Sequence, residues 1–342
     1  MGDRLFLKVF RRIEPGLNPE LEVGHFLTEV ARFPHVVPLA GAVEYLGPDG
    51  SLSTIALLQA FVANQGDGWD YTLNYLVRFL EERRTAAPLP PDVHGAYLAL
   101  MHTLGLRTAE LHRALATPTA DPAFASEPIT AVDSMRWRER IRGEALATLD
   151  ILSRPSEELP ETVRPAAAAL IARRDSLLAR IDALGGAPVG LKIRHHGDFH
   201  LGQVLLKRND FVIVDFEGEP ARSLAERREK SSPLRDVAGM LRSFAYARHA
   251  AMRRCTAEMH EDGVRWQPLL AAWETEARAA FLSAYDACAR AGKLYASLEE
   301  VRPLLELFEL EKALYELRYE LRNRPEWAAI PLATLLNLAG AD

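Results

Sequence analysis

A chain of 342 residues, 48% of them hydrophobic, is long enough to bury a substantial core in one large domain or two lobes. The formal net charge of -6 excludes a general basic field for nucleic acid, which is therefore not expected as a partner. Two cysteines, Cys255 and Cys288, are too few for a disulfide framework or a zinc-ligand spacing. Because the sequence also lacks an apolar run of about 18 residues, a cytoplasmic protein without a membrane partner is expected.

The first part of the chain predicts a small β-rich lobe. Residues 5–10 form a short apolar run with one lysine, and residues 53–62 form a second run of β-type composition, so both predict strands. Between them, Asn18 precedes a proline and two early acids, a pattern typical of a helix start, and the helix is predicted to reach about Arg32. This small lobe is assigned to residues 1–65.

The rest of the chain, residues 66–342, predicts a larger and mostly helical lobe. Asp92 is predicted to cap a helix that reaches Ala116. Residues 136–152 and 161–184 continue the helical pattern. The expected fold class is therefore α+β, with a small sheet-containing lobe and a large helical lobe.

Residues 204–215 predict a β-hairpin, because two apolar runs flank a short polar turn. A turn centred on Asn209 pairs residue 204 with residue 214. That register places Gln203 opposite Asp215 at the open end of the hairpin. An amide and a carboxylate are therefore expected side by side at its mouth.

The stretch HHGDFHLGQ, residues 195–203, leads into this hairpin and contains Asp198. Carboxylate and amide oxygens are ligands that suit Mg²⁺, which retains positions for water and phosphate oxygens. In phosphoryl transfer, one aspartate accepts the proton of the attacking hydroxyl, while another aspartate and an amide hold the metal. A transition-metal site on His196, Asp198 and His200 is the competing hypothesis, and the terminal acid of the hairpin favours phosphoryl transfer.

Three linked stretches carry a family resemblance: HGDFHLGQVL at 196–205, VDFEGEPAR at 214–222 and SPLRDVAGMLRSF at 232–244. They resemble the catalytic and metal-binding segments of the aminoglycoside phosphotransferase-like, kinase-fold sugar kinases, and they are most similar to maltokinases. The resemblance implies a two-lobed, protein-kinase-like fold with a mostly helical C-lobe, and ATP and Mg²⁺ as cofactors.

The same resemblance implies a role for individual residues. Asp198 is expected to be the general base, with Gln203 and Asp215 as Mg²⁺ ligands. Lys8 matches the small-lobe lysine that binds the nucleotide phosphates, and Glu22 matches the helix residue that forms an ion pair with this lysine.

Residues 311–321, near the end of the chain, are predicted to form a helix that contributes to the acceptor site. Its leucines fall on one side, and the other side carries aromatic and hydrogen-bonding groups that suit the faces and hydroxyls of a sugar. The stretch LYELRYELRNRPEW resembles the C-terminal segment of maltokinases, which implies Lys312, Tyr315 and Tyr319 as sugar contacts. Tyr246 is a further candidate. A solvated surface or a partner contact is the alternative interpretation of this face.

The function implied by the resemblance is transfer of the ATP γ-phosphate to the anomeric hydroxyl of maltose, giving maltose 1-phosphate in trehalose and maltose conversion to α-glucan. Trehalose synthase is the implied protein partner. The alternatives are a phosphotransferase for another hydroxyl acceptor, such as an aminoglycoside, and a non-catalytic module that binds sugar or trehalose synthase.

The sequence ahead of Lys8 bears on this choice. No GxGxxG pattern precedes Lys8, so an incomplete N-lobe is expected, with an exposed edge strand near the lysine and weakened phosphate binding. This feature favours the binding module, whereas the intact Asp198, Gln203 and Asp215 favour the enzyme.

Overall fold

The computed structural model shows a small N-terminal sheet with one helix, followed by a larger helical part. The described residues are 4–84, 90, 92–154, 159–184, 189–259 and 263–340. Among them, no helix is long and apolar enough to cross a membrane.

Three antiparallel strands form the N-terminal sheet in the order β1-β3-β2. They are β1 (Leu5–Val9), β2 (Leu39–Leu46) and β3 (Leu52–Ala60). The strand carrying Lys8 is thus an edge strand of this sheet, as expected from the sequence. Sequence reasoning missed β2, because register shifts between Leu39 and Gly41 and between Val43 and Glu44 interrupt its alternating pattern.

The helix after β1 begins where the sequence predicts. The Asn18 side chain accepts hydrogen bonds from the backbone N–H groups of Glu20 and Leu21, at 2.8 and 3.2 Å. Helix α1 (Pro19–His25) continues as a π-helical segment, Phe26–Val30. The cap fixes the rotational phase of α1, which decides which of its acidic side chains faces the sheet.

The remaining helices make up about half of the chain and pack around one extended core. They are α2 (Gly68–Glu82), α3 (Gly95–Leu115), α4 (Ala131–Ser153), α5 (Arg164–Ala172), α6 (Arg174–Ala183), α7 (Leu224–Arg227), α8 (Leu234–Met259), α9 (Gln267–Ala291), α10 (Leu298–Asn323) and α11 (Ala329–Ala339). Helices α3 and α9 pack closely because Gly105 has no side chain, and a Cβ there would collide with the backbone carbonyl of Phe281.

Two predicted helix boundaries are wrong. Asp92 lies in a turn and accepts the N–H of Gly95 through its backbone carbonyl, so α3 begins later than predicted. Its last residue is Leu115, and the predicted end, Ala116, is the C-cap. The predicted helix 161–184 is two helices, α5 and α6, that meet at Arg173. Both pack against α11, and local periodicity carries no sign of that tertiary constraint.

Two short antiparallel strand pairs complete the fold: β4 (Glu127–Pro128) with β5 (Leu191–Lys192), and β6 (Val204–Lys207) with β7 (Asp210–Ile213). The second pair is the predicted hairpin, but its register is shifted by one residue, with Val204 opposite Ile213. The turn has two residues, with Arg208 at φ 60°, where the sequence predicts a three-residue turn centred on Asn209.

The boundary predicted at residue 65 falls where the chain pairs with β6. The N–H of Gln65 donates to the carbonyl of Leu206 at 2.8 Å, and the N–H of Leu206 donates to the carbonyl of Gly66 at 2.9 Å. The division into 1–65 and 66–342 remains a prediction. These hydrogen bonds tie the end of the first segment to the hairpin that carries the polar cluster at its mouth.

Candidate active site

Asp236 anchors the loop that carries Asp198. Its buried carboxylate accepts the backbone N–H groups of His196 and Gly197 at 2.8 and 2.9 Å and lies 2.9 Å from Nε2 of His112. Burial alone would raise the pKa of Asp236, but the hydrogen bond with His112 and the histidines around it lower that pKa well below the ordinary value. The loop is therefore held in place by backbone hydrogen bonds to a carboxylate that stays ionised.

Asp198 lies above this anchor and contacts a lysine from helix α10. Its Oδ1 atom is 3.1 Å from Nζ of Lys312, which also lies 3.0 Å from Oε1 of Glu219. Burial would raise the pKa of Asp198, but the charge of Lys312 more than offsets it, so the pKa lies below the ordinary value. Asp198 is therefore ionised at neutral pH, as a carboxyl that takes a proton from a hydroxyl must be.

A second lysine gathers three carboxylates. Nζ of Lys8 lies 2.6 Å from Glu20, 2.5 Å from Asp215 and 2.6 Å from Glu217. Burial raises the pKa of Glu20 to about 7, since the opposing effect of Lys8 is incomplete and Asp215 and Glu217 add to the rise. One lysine against three carboxyl groups leaves this cluster with excess negative charge.

The predicted pairing of Lys8 with Glu22 is wrong, because the ion-pair partner on α1 is Glu20. Successive helical residues are rotated by about 100°, so residues two apart point to nearly opposite sides. Glu22 instead forms ion pairs with Arg194 at 2.6 Å and Arg228 at 2.8 Å. It therefore ties α1 to the start of the loop that carries Asp198 and to the segment after β7.

Gln203 and Asp215 meet at the hairpin mouth despite the shifted register. Nε2 of Gln203 donates to Oδ2 of Asp215 at 2.9 Å, and the backbone N–H of Val214 donates to the carbonyl of Gln203 at 3.0 Å. Asp215 has a left-handed backbone, with φ 69°. The structure thus brings the two predicted metal-binding side chains together.

The donor set in this region fits a divalent cation such as Mg²⁺. One oxygen from each of Glu20, Asp215 and Glu217 lies within 4.8 Å of the others. Hard carboxylate oxygens, with the amide of Gln203 next to them, match the ligands that Mg²⁺ accepts. Sequence reasoning missed Glu20 and Glu217, although Glu217 lies in the quoted VDFE motif, two residues after Asp215.

The predicted sugar-binding residues divide into two groups. Lys312 and Tyr315 line a chamber together with Asp198, and Nζ of Lys312 lies 4.9 Å from the centre of the Tyr315 ring. Tyr319 stacks on Tyr315 at 6.5 Å and is exposed, and Tyr246 donates to Glu320 at 3.1 Å and stacks on a tryptophan. Neither Tyr319 nor Tyr246 is among the residues described as lining the chamber.

The opposite side of the same helix anchors it, as predicted. Leu314 and Leu317 are fully buried in the core of the helical part. Glu316 is one of the hydrogen-bonding groups that the 100° periodicity places on the polar side, but it is also buried, and its carboxylate lies 2.6 Å from Nη2 of Arg242. The helix therefore presents a narrower polar face than its periodicity indicates.

The chain is similar to curated proteins of one kind. It is 31% identical over 300 residues to a glucosamine kinase of Mycolicibacterium smegmatis, covering 86% of this chain and 65% of the relative. It is 28% identical over 286 residues to a glucosamine kinase of Streptacidiphilus jiangxiensis, covering 83% and 57%. The chain thus spans less than two thirds of the length of these relatives. No protein-family model matches it.

A solved structure of a glucosamine kinase is also similar to this chain. A glucosamine kinase in complex with glucosamine, ADP and inorganic phosphate superposes with a TM-score of 0.72 at 26% identity, covering 98% of this chain and 73% of that one. The prediction of a kinase-like α+β fold is confirmed. The predictions of maltose as acceptor and of trehalose synthase as partner are wrong, because the relatives are glucosamine kinases.

Proposed function

We propose that this chain carries out ATP- and Mg²⁺-dependent phosphoryl transfer to a hydroxyl of an amino sugar, with glucosamine as the first acceptor to test. The observation that carries the proposal is the pairing of two sites. An ionised Asp198, held by Lys312, lies on the loop that leads into the hairpin, and an oxygen-rich cluster around Lys8 lies at the mouth of that hairpin. The names of the relatives and of the ADP-bound structure supply the acceptor and the nucleotide.

Asp198 serves as the general base in the proposed reaction. It accepts the proton of the acceptor hydroxyl as the hydroxyl oxygen bonds to the γ-phosphorus and the bond from that phosphorus to the bridging β–γ oxygen breaks, which releases ADP. Lys312 lowers the pKa of Asp198 and so keeps it ionised before the transfer. Glu219, on the other side of Lys312, fixes the position of the ammonium group.

The Lys8 cluster is proposed to hold the nucleotide phosphates. Asp215 and Gln203, with Glu217 within reach, are the residues that would bind Mg²⁺, which neutralises and orients phosphate oxygens when bound. Lys8 keeps Glu20 as its buried partner and directs its remaining N–H donors toward phosphate oxygens. This is the pairing that the sequence assigns to Glu22.

The acceptor is proposed to lie between Asp198 and helix α10. Lys312 and Tyr315 share the chamber with the base and are the strongest candidates for sugar contacts. Tyr319 and Tyr246 remain candidates farther along the same side, because Tyr319 extends the aromatic surface of Tyr315. Stacked aromatic rings beside charged groups suit the apolar faces and polar edges of a sugar.

The test is phosphorus NMR of the chain with Mg-ATP and one acceptor at a time: glucosamine, N-acetylglucosamine, glucose, maltose or an aminoglycoside. A glucosamine-dependent phosphate-ester signal, absent with maltose and without acceptor, is expected. A signal with the aminoglycoside alone would transfer the proposal to that acceptor class. No ester with any acceptor, in a sample that binds Mg-ADP, would leave a binding module as the better description.

A further inference from the structure

Two histidines of the loop that carries Asp198 use their rings differently. His196 is buried and uses both ring nitrogens locally: Nε2 lies 2.9 Å from the carbonyl oxygen of Val214, and Nδ1 accepts the N–H of Asp198 at 3.4 Å. His200 uses one, since its Nδ1 accepts the backbone N–H of Gly202 at 3.0 Å. Within the described part of the chain, Nε2 of His200 has no hydrogen-bond partner, and it is not one of the buried polar atoms that lack a partner. This nitrogen is therefore accessible to a ligand.

The hydrogen bond from Gly202 fixes which ring nitrogen of His200 carries the proton. A backbone N–H can only donate, so Nδ1 is the acceptor and the ring proton lies on Nε2. The ring also fills the space that glycine leaves, because a Cβ at 202 would lie 2.9 Å from Cε1 and 3.1 Å from Nδ1 of the ring. His200 therefore presents an N–H donor whose position is fixed by the loop.

His200 lies on the loop between the two parts of the proposed site. It follows Asp198 and precedes Gln203, whose backbone N–H donates to the carbonyl of His200 at 2.9 Å. Its ring interacts electrostatically with Asp198 and Lys312 in one cluster and with Asp215 in the other. In the proposed transfer, the γ-phosphoryl group lies between the phosphates held near Asp215 and the hydroxyl held at Asp198. The Nε2 donor is thus near the path of the group that is transferred.

We propose that His200 is a catalytic residue that donates a hydrogen bond from Nε2 to an oxygen of the γ-phosphoryl group during transfer. This inference rests on the proposed function and assigns one more residue to the same site. His200 keeps its proton: the phosphorus still gains its bond to the acceptor hydroxyl oxygen and loses its bond to the bridging oxygen, while the hydroxyl proton goes to Asp198. Charge spreads over the phosphoryl oxygens in the transition state, and a donor fixed beforehand stabilises that charge without reorganising.

Two substitutions separate this role from that of a helix cap. His200 is the N-cap of the short 3₁₀ helix Leu201–Gln203, through the bond from Gly202. His200→Asn places an amide oxygen near the position of Nδ1, so the cap is kept and the distal donor is lost. His200→Gln brings an amide N–H near the position of Nε2 and loses the cap. His102→Asn, at an exposed histidine of α3, is the matched control.

Steady-state kinetics with Mg-ATP and glucosamine form the first measurement. His200→Asn is expected to lower kcat by about 10²-fold and to change neither KM by more than about threefold, because the lost donor acts on the transition state. His200→Gln is expected to retain more of kcat than His200→Asn, and His102→Asn is expected to match the wild type. A side chain that serves only as a cap would reverse the order of the two His200 variants. That reversal, or wild-type kcat in His200→Asn, overturns the proposal.

The second measurement needs no turnover. Isothermal titration compares the affinity for Mg-ADP with and without aluminium fluoride, an anion that mimics the transferred phosphoryl group. The fluoride is expected to tighten ADP binding in the wild type, and His200→Asn is expected to lose most of this gain with its affinity for Mg-ADP alone unchanged. Circular dichroism checks that each variant is folded.

The two measurements also separate this inference from the kinase proposal. If no acceptor is phosphorylated but the gain from fluoride and its loss in His200→Asn are observed, the acceptor chemistry is rejected and the His200 contact stands. If the wild type shows no gain, or if His200→Asn shows the same gain as the wild type, the His200 contact is rejected.

Discussion

Lys8 and Lys312 each contact more than one carboxylate, but the pKa of a key carboxyl is raised in the first cluster and lowered in the second. Lys8 contacts Glu20, Asp215 and Glu217, all within 2.6 Å, so its cluster has two more negative groups than positive ones when all are ionised. Lys312 contacts only Asp198 and Glu219. Arg222, 2.8 Å from Glu219, brings the second cluster to charge balance.

The difference shows how one fold can prepare carboxylates for two tasks. In the first cluster, burial and neighbouring acids raise the pKa of Glu20 to about 7, so the cluster favours an added cation. In the second, Lys312 offsets burial and lowers the pKa of Asp198. The number of carboxylates around each lysine therefore supports the metal-binding role proposed for the first cluster and the base role proposed for the second.

The largest expected effects are those of substituting Asp198 and Asp215, because the first should impair turnover and the second should impair Mg²⁺-dependent binding of ADP. Asp198→Asn is expected to lower turnover by about 10³-fold, since the proton acceptor is lost, with Mg-ADP affinity nearly unchanged. Asp215→Asn is expected to abolish the increase in ADP affinity that Mg²⁺ provides. Steady-state assays and titration of ADP with and without Mg²⁺ measure both. Loss of Mg-ADP binding in Asp198→Asn would instead assign Asp198 to the metal.

A smaller effect tests the role of Lys312. In Lys312→Met the pKa of Asp198 is expected to rise, because burial then acts without the opposing lysine charge. The acidic limb of the profile of kcat/KM against pH should therefore move to higher pH. Lys207→Met, at an exposed lysine of β6, is the control and should leave the limb in place. An unmoved limb in Lys312→Met would show that the lysine does not set the ionisation of Asp198.

The smallest effect concerns stability in the Lys8 cluster. The pKa of Glu20 is about 7 in the folded protein and about 4.5 ordinarily, so between these values the folded state binds more protons than the unfolded state. The contribution of Glu20 to the free energy of unfolding is present below the lower value and declines as pH rises through the window. Urea unfolding from pH 5 to 8 should show that the free energy of unfolding of the wild type falls relative to that of Glu20→Gln as the pH rises.

The control for this measurement is Glu29→Gln, an exposed position just beyond α1. Its difference from the wild type should be independent of pH over the same range. A flat difference for Glu20→Gln as well would mean that Glu20 stays ionised beside Lys8 across the window.

Local sequence predicted that the Asp198 loop leads into the hairpin mouth, because these residues are close along the chain. Asp198, Gln203 and Asp215 fall within 18 residues, so strand and turn patterns sufficed to bring them together, even with the register one residue off. Glu20 and Glu22 could not be told apart in this way, because the choice depends on the rotational phase of α1 against a distant strand. The two residues point to nearly opposite sides of α1, and the local pattern does not say which of these sides packs against the strand that carries Lys8.

Longer-range features were beyond the sequence for the same reason. Glu311 meets Arg140 across 171 positions and Arg235 across 76, and no motif links the three. The prediction of maltose as the acceptor failed for a different reason. The quoted motifs resemble segments that serve phosphoryl transfer in kinase-fold sugar kinases whatever the hydroxyl acceptor, whereas acceptor choice rests on a few side chains elsewhere.

The left-handed backbone of Asp215 has a consequence for how this chain could change over time. At φ 69° a residue with a Cβ is held at a conformational cost that glycine does not have. Selection for stability alone would therefore favour glycine at 215, and selection for activity would oppose it, because glycine has no carboxylate. The aspartate at 215 is therefore better explained by the metal-binding role proposed for its carboxylate than by the stability of the backbone.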